Sequence, residues 1–61
     1  MYINLHLMNY YELRKRAFQA IDQMDEDGKT QATMIYRIST EFGFNKKIVK
    51  ERLAMREALR K

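Results

Sequence analysis

The sequence contains no cysteine, no proline and only one histidine, His6. Without cysteine it can form neither a disulfide nor a thiolate metal site, and a lone histidine has no second ligand with which to hold a metal ion. No nucleophile with a base partner, glycine-rich phosphate loop or pair of catalytic carboxylates can be assembled from the other residues. We therefore expect no enzymatic activity, no cofactor and no small-molecule substrate.

Long hydrophobic runs are also missing. Residues 1–8 form the most apolar stretch, and Asn4 and His6 interrupt it, so it is too short and too polar to span a membrane or to act as a signal sequence. A chain without cysteine also suits a reducing compartment. These features predict a cytoplasmic protein without a membrane partner.

The chain has only 61 residues, which is the size of one small domain. A domain of this length buries about 60% of the surface that its unfolded chain exposes, so its hydrophobic core is thin. With no disulfide or metal site to compensate, its stability must come from helix packing or from a partner subunit. We therefore expect a single domain over residues 1–61 that forms a homodimer.

Positive charge is concentrated toward the C-terminal end of the sequence. Residues 1–44 contain five Lys or Arg and six acids, a net charge of −1, whereas residues 45–61 contain seven and two, a net charge of +5. A basic surface confined to one element is typical of proteins that bind polyanions such as DNA. The C-terminal segment is therefore the candidate binding region.

Three segments have hydrophobic residues at helical spacing, which predicts an all-α fold with helices over residues 9–25, 30–42 and 45–60. Residues 1–7 instead alternate apolar and polar side chains, which predicts a short strand or extended segment. A single strand needs a partner for its backbone hydrogen-bonding groups, so it pairs with a symmetry-related chain, pairs with a strand outside this sequence, or does not form. The sequence therefore predicts a three-helix module with a short N-terminal extended segment.

Capping residues mark the ends of the predicted helices. Asn9, Thr30 and Asn45 stand at the three starts, and their side chains are of the kind that accepts hydrogen bonds from the first turn of a helix. Gly28 and Gly43 follow the first two helices, and glycine takes the left-handed conformation that ends a helix at little cost. These signals separate the three helices by two short turns.

Each predicted helix has one face that is suited to a hydrophobic core. The core residues expected on the three helices are, in order, Leu13, Ala17, Ile21 and Met24, then Ala32, Ile35, Ile38, Ser39 and Phe42, then Ile48, Val49 and Leu53, with Ala54, Met55, Ala58 and Leu59 also available for packing. The solvent-facing side chains expected on the first helix are Arg14, Lys15, Arg16, Gln19 and Asp22.

The turn between the second and third predicted helices has an informative pattern of residues. In chain order it consists of Ile38, Ser39, Phe42, Gly43, Phe44, Val49 and Leu53. This pattern, within residues 35–54, resembles the helix-turn-helix family of DNA-binding domains, which includes winged-helix-like forms. In such a pair of helices, a small residue one turn before the glycine lets the helices approach, and Ser39 is small. Gly43 provides a left-handed turn that would cost other residues roughly 1–2 kcal/mol.

The resemblance implies which side chains meet DNA. With Val49 and Leu53 packed inward, the third helix becomes a recognition helix whose outer face enters the major groove. That face consists of Asn45, Lys46, Lys47, Lys50, Glu51 and Ala54. The lysines are expected to reach phosphates or guanine edges, and Asn45 to cap the helix or contact phosphate. Glu51 is expected to accept a hydrogen bond from cytosine or to repel other sequences.

The sequence departs from the family pattern at one position and leaves the architecture open at two points. Arg52 stands where the family usually has an apolar or small residue, which leaves the rotation of the third helix open. A winged-helix member would add a β-hairpin after Leu59. The sequence is therefore compatible with a wingless form and with a form whose wing has been lost or truncated. A ribbon-helix-helix dimer would also use an N-terminal strand, but residues 1–7 contain no Lys or Arg and three helices are predicted instead of two.

Two functions are compatible with these features. The first is double-stranded DNA binding, either sequence-specific or nucleoid-type, by a small transcriptional regulator. The second is a helical protein-interaction module whose basic face only keeps it soluble. The aromatic residues fall at helical spacings, so most are expected in the core instead of stacking on bases, with Tyr11 and Tyr36 partly exposed.

Overall fold

The computed structural model describes residues 9–60, which form three α-helices and no strand. Helix α1 spans Tyr10–Glu26, α2 spans Gln31–Phe42 and α3 spans Lys46–Arg60. Each observed end lies within one residue of its predicted position, and the all-α class is confirmed. The predicted extended segment, residues 1–7, lies outside the described residues.

The first two helices begin at side-chain caps. The Oδ1 atom of Asn9 accepts a hydrogen bond from the backbone N–H of Glu12 at 2.8 Å. The hydroxyl of Thr30 accepts one from the backbone N–H of Thr33 at 3.1 Å. Each contact satisfies a backbone donor that has no partner within the helix, which is why these polar residues define the starts.

Glycine in the left-handed conformation ends α1 and α2. Gly28 has a φ angle of 80° and Gly43 one of 76°. The backbone N–H of Gly43 donates to the carbonyl of Ser39 at 3.1 Å, and that of Lys29 donates to the carbonyl of Met24 at 2.9 Å. These bonds satisfy carbonyl groups of the last helical turns. The chain therefore reverses sharply after each helix, and α2 and α3 are separated only by residues 43–45.

One hydrophobic core joins the three helices, and each helix contacts both of the others. Its buried members are Ala17, Ile21, Met24, Met34, Ile38, Ile48 and Val49. The partly buried side chains that pack against them are Phe18, Ala20, Ile35, Phe42, Phe44 and Leu53. The motif residues Ile38, Phe42, Phe44, Val49 and Leu53 thus all belong to the core or to its edge. Burial of one large aliphatic side chain contributes about 1.5–3 kcal/mol, so each of these residues matters in so small a domain.

The buried face of α2 differs from the sequence prediction. Met34 is only 2% exposed, although the prediction omits it, whereas Ala32 and Ser39 are exposed. The hydroxyl of Ser39 donates to the carbonyl of Tyr36 at 3.0 Å within α2. The prediction that Ser39 packs between the helices is therefore wrong. Burial of Met34 beside Ile38 removes more apolar surface from water than burial of an alanine and a serine would.

Replacement of Ile21 with alanine is expected to destabilise the fold severely. Ile21 is 0% exposed, and truncation of a buried isoleucine to alanine costs about 2–5 kcal/mol because it leaves a cavity. A domain of 61 residues has a total stability on the order of 3–9 kcal/mol. Urea unfolding followed by circular dichroism measures the loss.

Two further variants make this test decisive if Ile21→Ala does not fold. Ile21→Val removes one methylene and should cost about 0.5–1.5 kcal/mol. Leu59→Ala serves as the control, since Leu59 is 81% exposed and its truncation should change stability by less than about 0.5 kcal/mol. An equal loss for Ile21→Val and Leu59→Ala would contradict the assigned core.

Candidate nucleic-acid interface

The rotation of α3 about its axis decides which of its side chains meet solvent. Ile48 and Val49 are 5% and 0% exposed, and Leu53 is partly buried one turn after Val49. These contacts leave the opposite face of the helix in water. The six predicted site residues are all exposed: Asn45, Lys46, Lys47, Lys50, Glu51 and Ala54.

Asn45 caps the N-terminus of α3. Its Oδ1 atom accepts a hydrogen bond from the backbone N–H of Lys47 at 2.9 Å, and its carbonyl accepts one from the N–H of Ile48 at 3.3 Å. Of the two roles that the sequence leaves open for Asn45, the structure shows capping. Lys46 and Lys47 belong to the first turn of α3, where the helix N-terminus carries a partial positive charge.

The arginines of α3 extend toward α1 and bind its carboxylates. Arg52 donates two hydrogen bonds of 2.8 Å to Asp22, from Nε to Oδ1 and from Nη2 to Oδ2. Arg56 lies 2.9 Å from Asp25, 2.6 Å from Glu26 and 3.3 Å from Asp22. Arginine suits such contacts because its planar guanidinium matches two carboxylate oxygens at once.

Arg60 extends the same row of contacts by one more turn of α3. Its guanidinium lies 3.1 Å from Asp25 and 3.2 Å from Glu57. We call this row the α1–α3 seam, and its members are Asp22, Asp25, Glu26, Arg52, Arg56 and Arg60. The seam therefore joins the C-terminal half of α1 to residues 52–60 of α3.

The seam explains the departure from the helix-turn-helix pattern at Arg52. The side chain of Arg52 is 22% exposed, and its guanidinium carbon lies 4.9 Å from the centre of the Phe18 ring. A cation can occupy this half-buried position because Asp22 neutralises it and an aromatic ring lies beside it. Asp22 itself is partly buried, which corrects the prediction that it faces solvent.

The seam divides the cations of α3 into two groups. Arg52, Arg56 and Arg60 each bind at least one carboxylate of α1. In contrast, Lys46, Lys47 and Lys50 form no ion pair within residues 9–60. No carboxylate oxygen in that range lies within 4.0 Å of their ammonium nitrogens. The uncompensated positive charge of α3 therefore lies in its N-terminal half.

Sequence analysis missed the seam, although the sequence carries a signal for it. Its acids follow one another at spacings of three and one in α1, and its arginines at spacings of four in α3, so each set lies along one helix face. Two stripes of opposite charge indicate that the helices pair. The signal is incomplete, because the sequence does not show which helices are neighbours or in which direction they run.

A shallow groove of about 370 Å³ lies beside the N-terminus of α3. The residues that line it are Tyr10, Gly43, Phe44, Asn45, Lys47, Ile48 and Glu51. The rings of Tyr10 and Phe44 meet edge-on with their centres 5.8 Å apart. The groove therefore joins the exposed face of α3 to the first turn of α1, and both elements contribute to one surface.

Comparison with known proteins provides no assignment. No protein-family model matches the sequence, and no curated protein or solved structure is significantly similar to the chain. None of the three helices within residues 9–60 is both long and apolar enough to cross a membrane. Inference about function therefore depends on the described residues themselves.

Protonation of Asp22 is expected to weaken the seam at acid pH. The hydrogen bonds from Arg52 lower the pKa of the Asp22 carboxyl below its ordinary value of 3.8, and the charges of Arg52 and Arg56 act in the same direction against partial desolvation. A group with a lowered pKa in the folded state stabilises the fold above the pKa of the unfolded chain. That contribution disappears as the pH falls through the folded pKa.

Asp22→Asn tests this contribution directly. Near pH 7 the variant should lose about 1–3 kcal/mol of unfolding free energy, because a half-buried guanidinium loses its ionic partner. The difference from the parent protein should shrink as the pH falls below 3.8, the ordinary pKa of the group. Urea unfolding at a series of pH values measures both quantities. Asp27→Asn is the matched control, since no cation within residues 9–60 lies in ion-pair distance of Asp27. A difference that stays constant with pH would contradict the assignment.

Proposed function

We propose that this protein binds double-stranded DNA through the exposed face of α3, with Lys46, Lys47 and Lys50 contacting phosphates or guanine edges. The observation that carries the proposal is the division of charge within α3. The arginines are neutralised by α1, whereas the lysines face water without a carboxylate partner among residues 9–60. Unpaired cations on a surface attract a polyanion and release its counterions when it binds.

The dimensions and chemistry of α3 support this proposal. The helix has 15 residues, which corresponds to a length of about 22 Å, and the major groove of B-DNA is wide enough to admit a helix. Ala54 follows Lys50 by one turn, and its small side chain would let the helix backbone approach base edges. In the proposed helix-turn-helix arrangement, α2 braces α3 through Gly43, and the N-terminus of α3 adds its partial positive charge.

The proposed role is that of a small cytoplasmic transcriptional regulator or nucleoid-associated protein. One helix-turn-helix module contacts about half of a typical operator, so two copies related by a two-fold axis would read a palindromic site. We therefore propose a homodimer on DNA. Its two recognition helices would enter successive major grooves on one side of the duplex.

An apolar pair on α3 favours a second candidate function, binding to another protein. Met55 is 42% exposed and Leu59 is 81% exposed, and the two lie one turn apart. Salt separates the candidates. A DNA complex with about four to six phosphate contacts should lose affinity with a log–log slope of roughly −4 to −5, whereas an apolar protein contact should respond little.

The double substitution Lys47→Glu with Lys50→Glu is expected to abolish DNA binding. It reverses two charges on the proposed interface, and both side chains are exposed, so the helical content should not change. Fluorescence anisotropy with random duplex DNA measures affinity at about 50 and 200 mM salt. Circular dichroism checks that the fold is intact.

The matched control is Lys15→Glu with Lys29→Glu, which changes the net charge by the same amount at exposed positions outside α3. This variant should retain most of the affinity, because only the long-range field of the protein changes. Equal losses for the two double variants would reject α3 as the interface. Absence of any binding by the parent protein at the lower salt concentration would reject the proposed function itself.

A further inference from the structure

One ion pair between α1 and α3 has the opposite polarity to the seam. The Nη2 atom of Arg14 lies 2.7 Å from Oε2 of Glu51. Here α1 provides the guanidinium and α3 the carboxylate, whereas in the seam α3 provides every guanidinium. The carboxylates of α1 neutralise the arginines of α3, and Arg14 of α1 in turn neutralises the negative charge of Glu51.

The charge that Arg14 removes lies within the lysine face of α3. Glu51 follows Lys50 directly and follows Lys47 by one turn, and its side chain is 51% exposed. Residues four positions apart on a helix have Cβ atoms about 5–6 Å apart. An unpaired carboxylate at this distance would offset the attraction of Lys47 for a phosphate group.

The ring of Phe18 holds the guanidinium of Arg14 in position. Its guanidinium carbon lies 4.3 Å from the centre of the Phe18 ring, one turn further along α1, and its side chain is 30% exposed. Phe18 packs against the core. A cation held over an aromatic ring loses less conformational freedom when it forms an ion pair, which favours the contact with Glu51.

We propose that Arg14 is a positioning residue for DNA binding, which acts by neutralising Glu51 and holding its carboxylate on the α1 side of α3. Lys47 and Lys50 then face the phosphates as uncompensated cations. Arg14 itself stays over Phe18 and does not contact the DNA. This inference rests on the proposed function and adds a residue outside the recognition helix that controls affinity.

A comparison of five variants with the parent protein tests the inference by anisotropy with duplex DNA. Arg14→Gln releases the Glu51 carboxylate from the α1 side of α3 and should weaken binding roughly threefold, the effect of a unit negative charge that comes to about 6–7 Å from a phosphate in water. In the Glu51→Gln background the same Arg14→Gln change should have an effect smaller than about 1.5-fold, because no carboxylate remains to be neutralised. Arg14→Lys should restore part of the affinity. Lys15→Gln, a neighbouring exposed cation, controls for net charge and should have only a small effect.

The outcomes distinguish the inference from the proposed function. If the parent protein binds DNA and Arg14→Gln weakens binding only when Glu51 is present, the positioning role is supported. An equal loss in both backgrounds would overturn it, since Arg14 would then bind phosphate directly. A loss no greater than that of Lys15→Gln would overturn it as well. If the parent protein fails to bind duplex DNA, the inference fails together with the function on which it depends.

Discussion

The burial of Ile48 and Val49 is the constraint on which the surface of α3 depends. Adjacent positions on a helix point about 100° apart, so two buried neighbours leave α3 little freedom to rotate about its axis. With this orientation, Arg52 and Arg56 meet α1 and Lys47 meets solvent. Apolar packing thus decides which charges the protein neutralises internally and which it leaves exposed to solvent.

The arginines and the lysines of α3 lie in different environments, and the chemistry of their side chains explains the difference. A guanidinium is planar and weakly hydrated, so Arg52 can form two parallel hydrogen bonds to Asp22 at a half-buried position. A lysine ammonium is strongly hydrated, so Lys47 and Lys50 stay in water. The seam alone does not distinguish one register from another, because its arginines repeat at every turn of α3. The Arg14–Glu51 pair favours the observed register, since a slide of one turn would bring Lys47 toward Arg14 and place like charges together. Each exposed ion pair contributes little to stability.

The net charge of residues 45–61 overstates the positive charge of the proposed interface. Residues 45–61 carry seven cations, but α1 neutralises three of them, and Arg14 neutralises one of the two acids. The candidate surface is therefore smaller than the sequence suggests, and it is confined to the first half of α3. A cationic patch beside a helix N-terminus is a favourable environment for an anion such as phosphate.

The three helices and their ends could be predicted from the sequence, because they depend on local spacing, caps such as Asn9 and Thr30, and the left-handed glycine at Gly43. Packing of the three helices against one another is what buries Met34 instead of Ser39 and gives Glu51 a partner. Which face of α2 packs inward depends on the volume that the other two helices leave. Ion pairs across helices depend on distances between residues far apart in the chain, and no local pattern specifies those distances until the helices have packed.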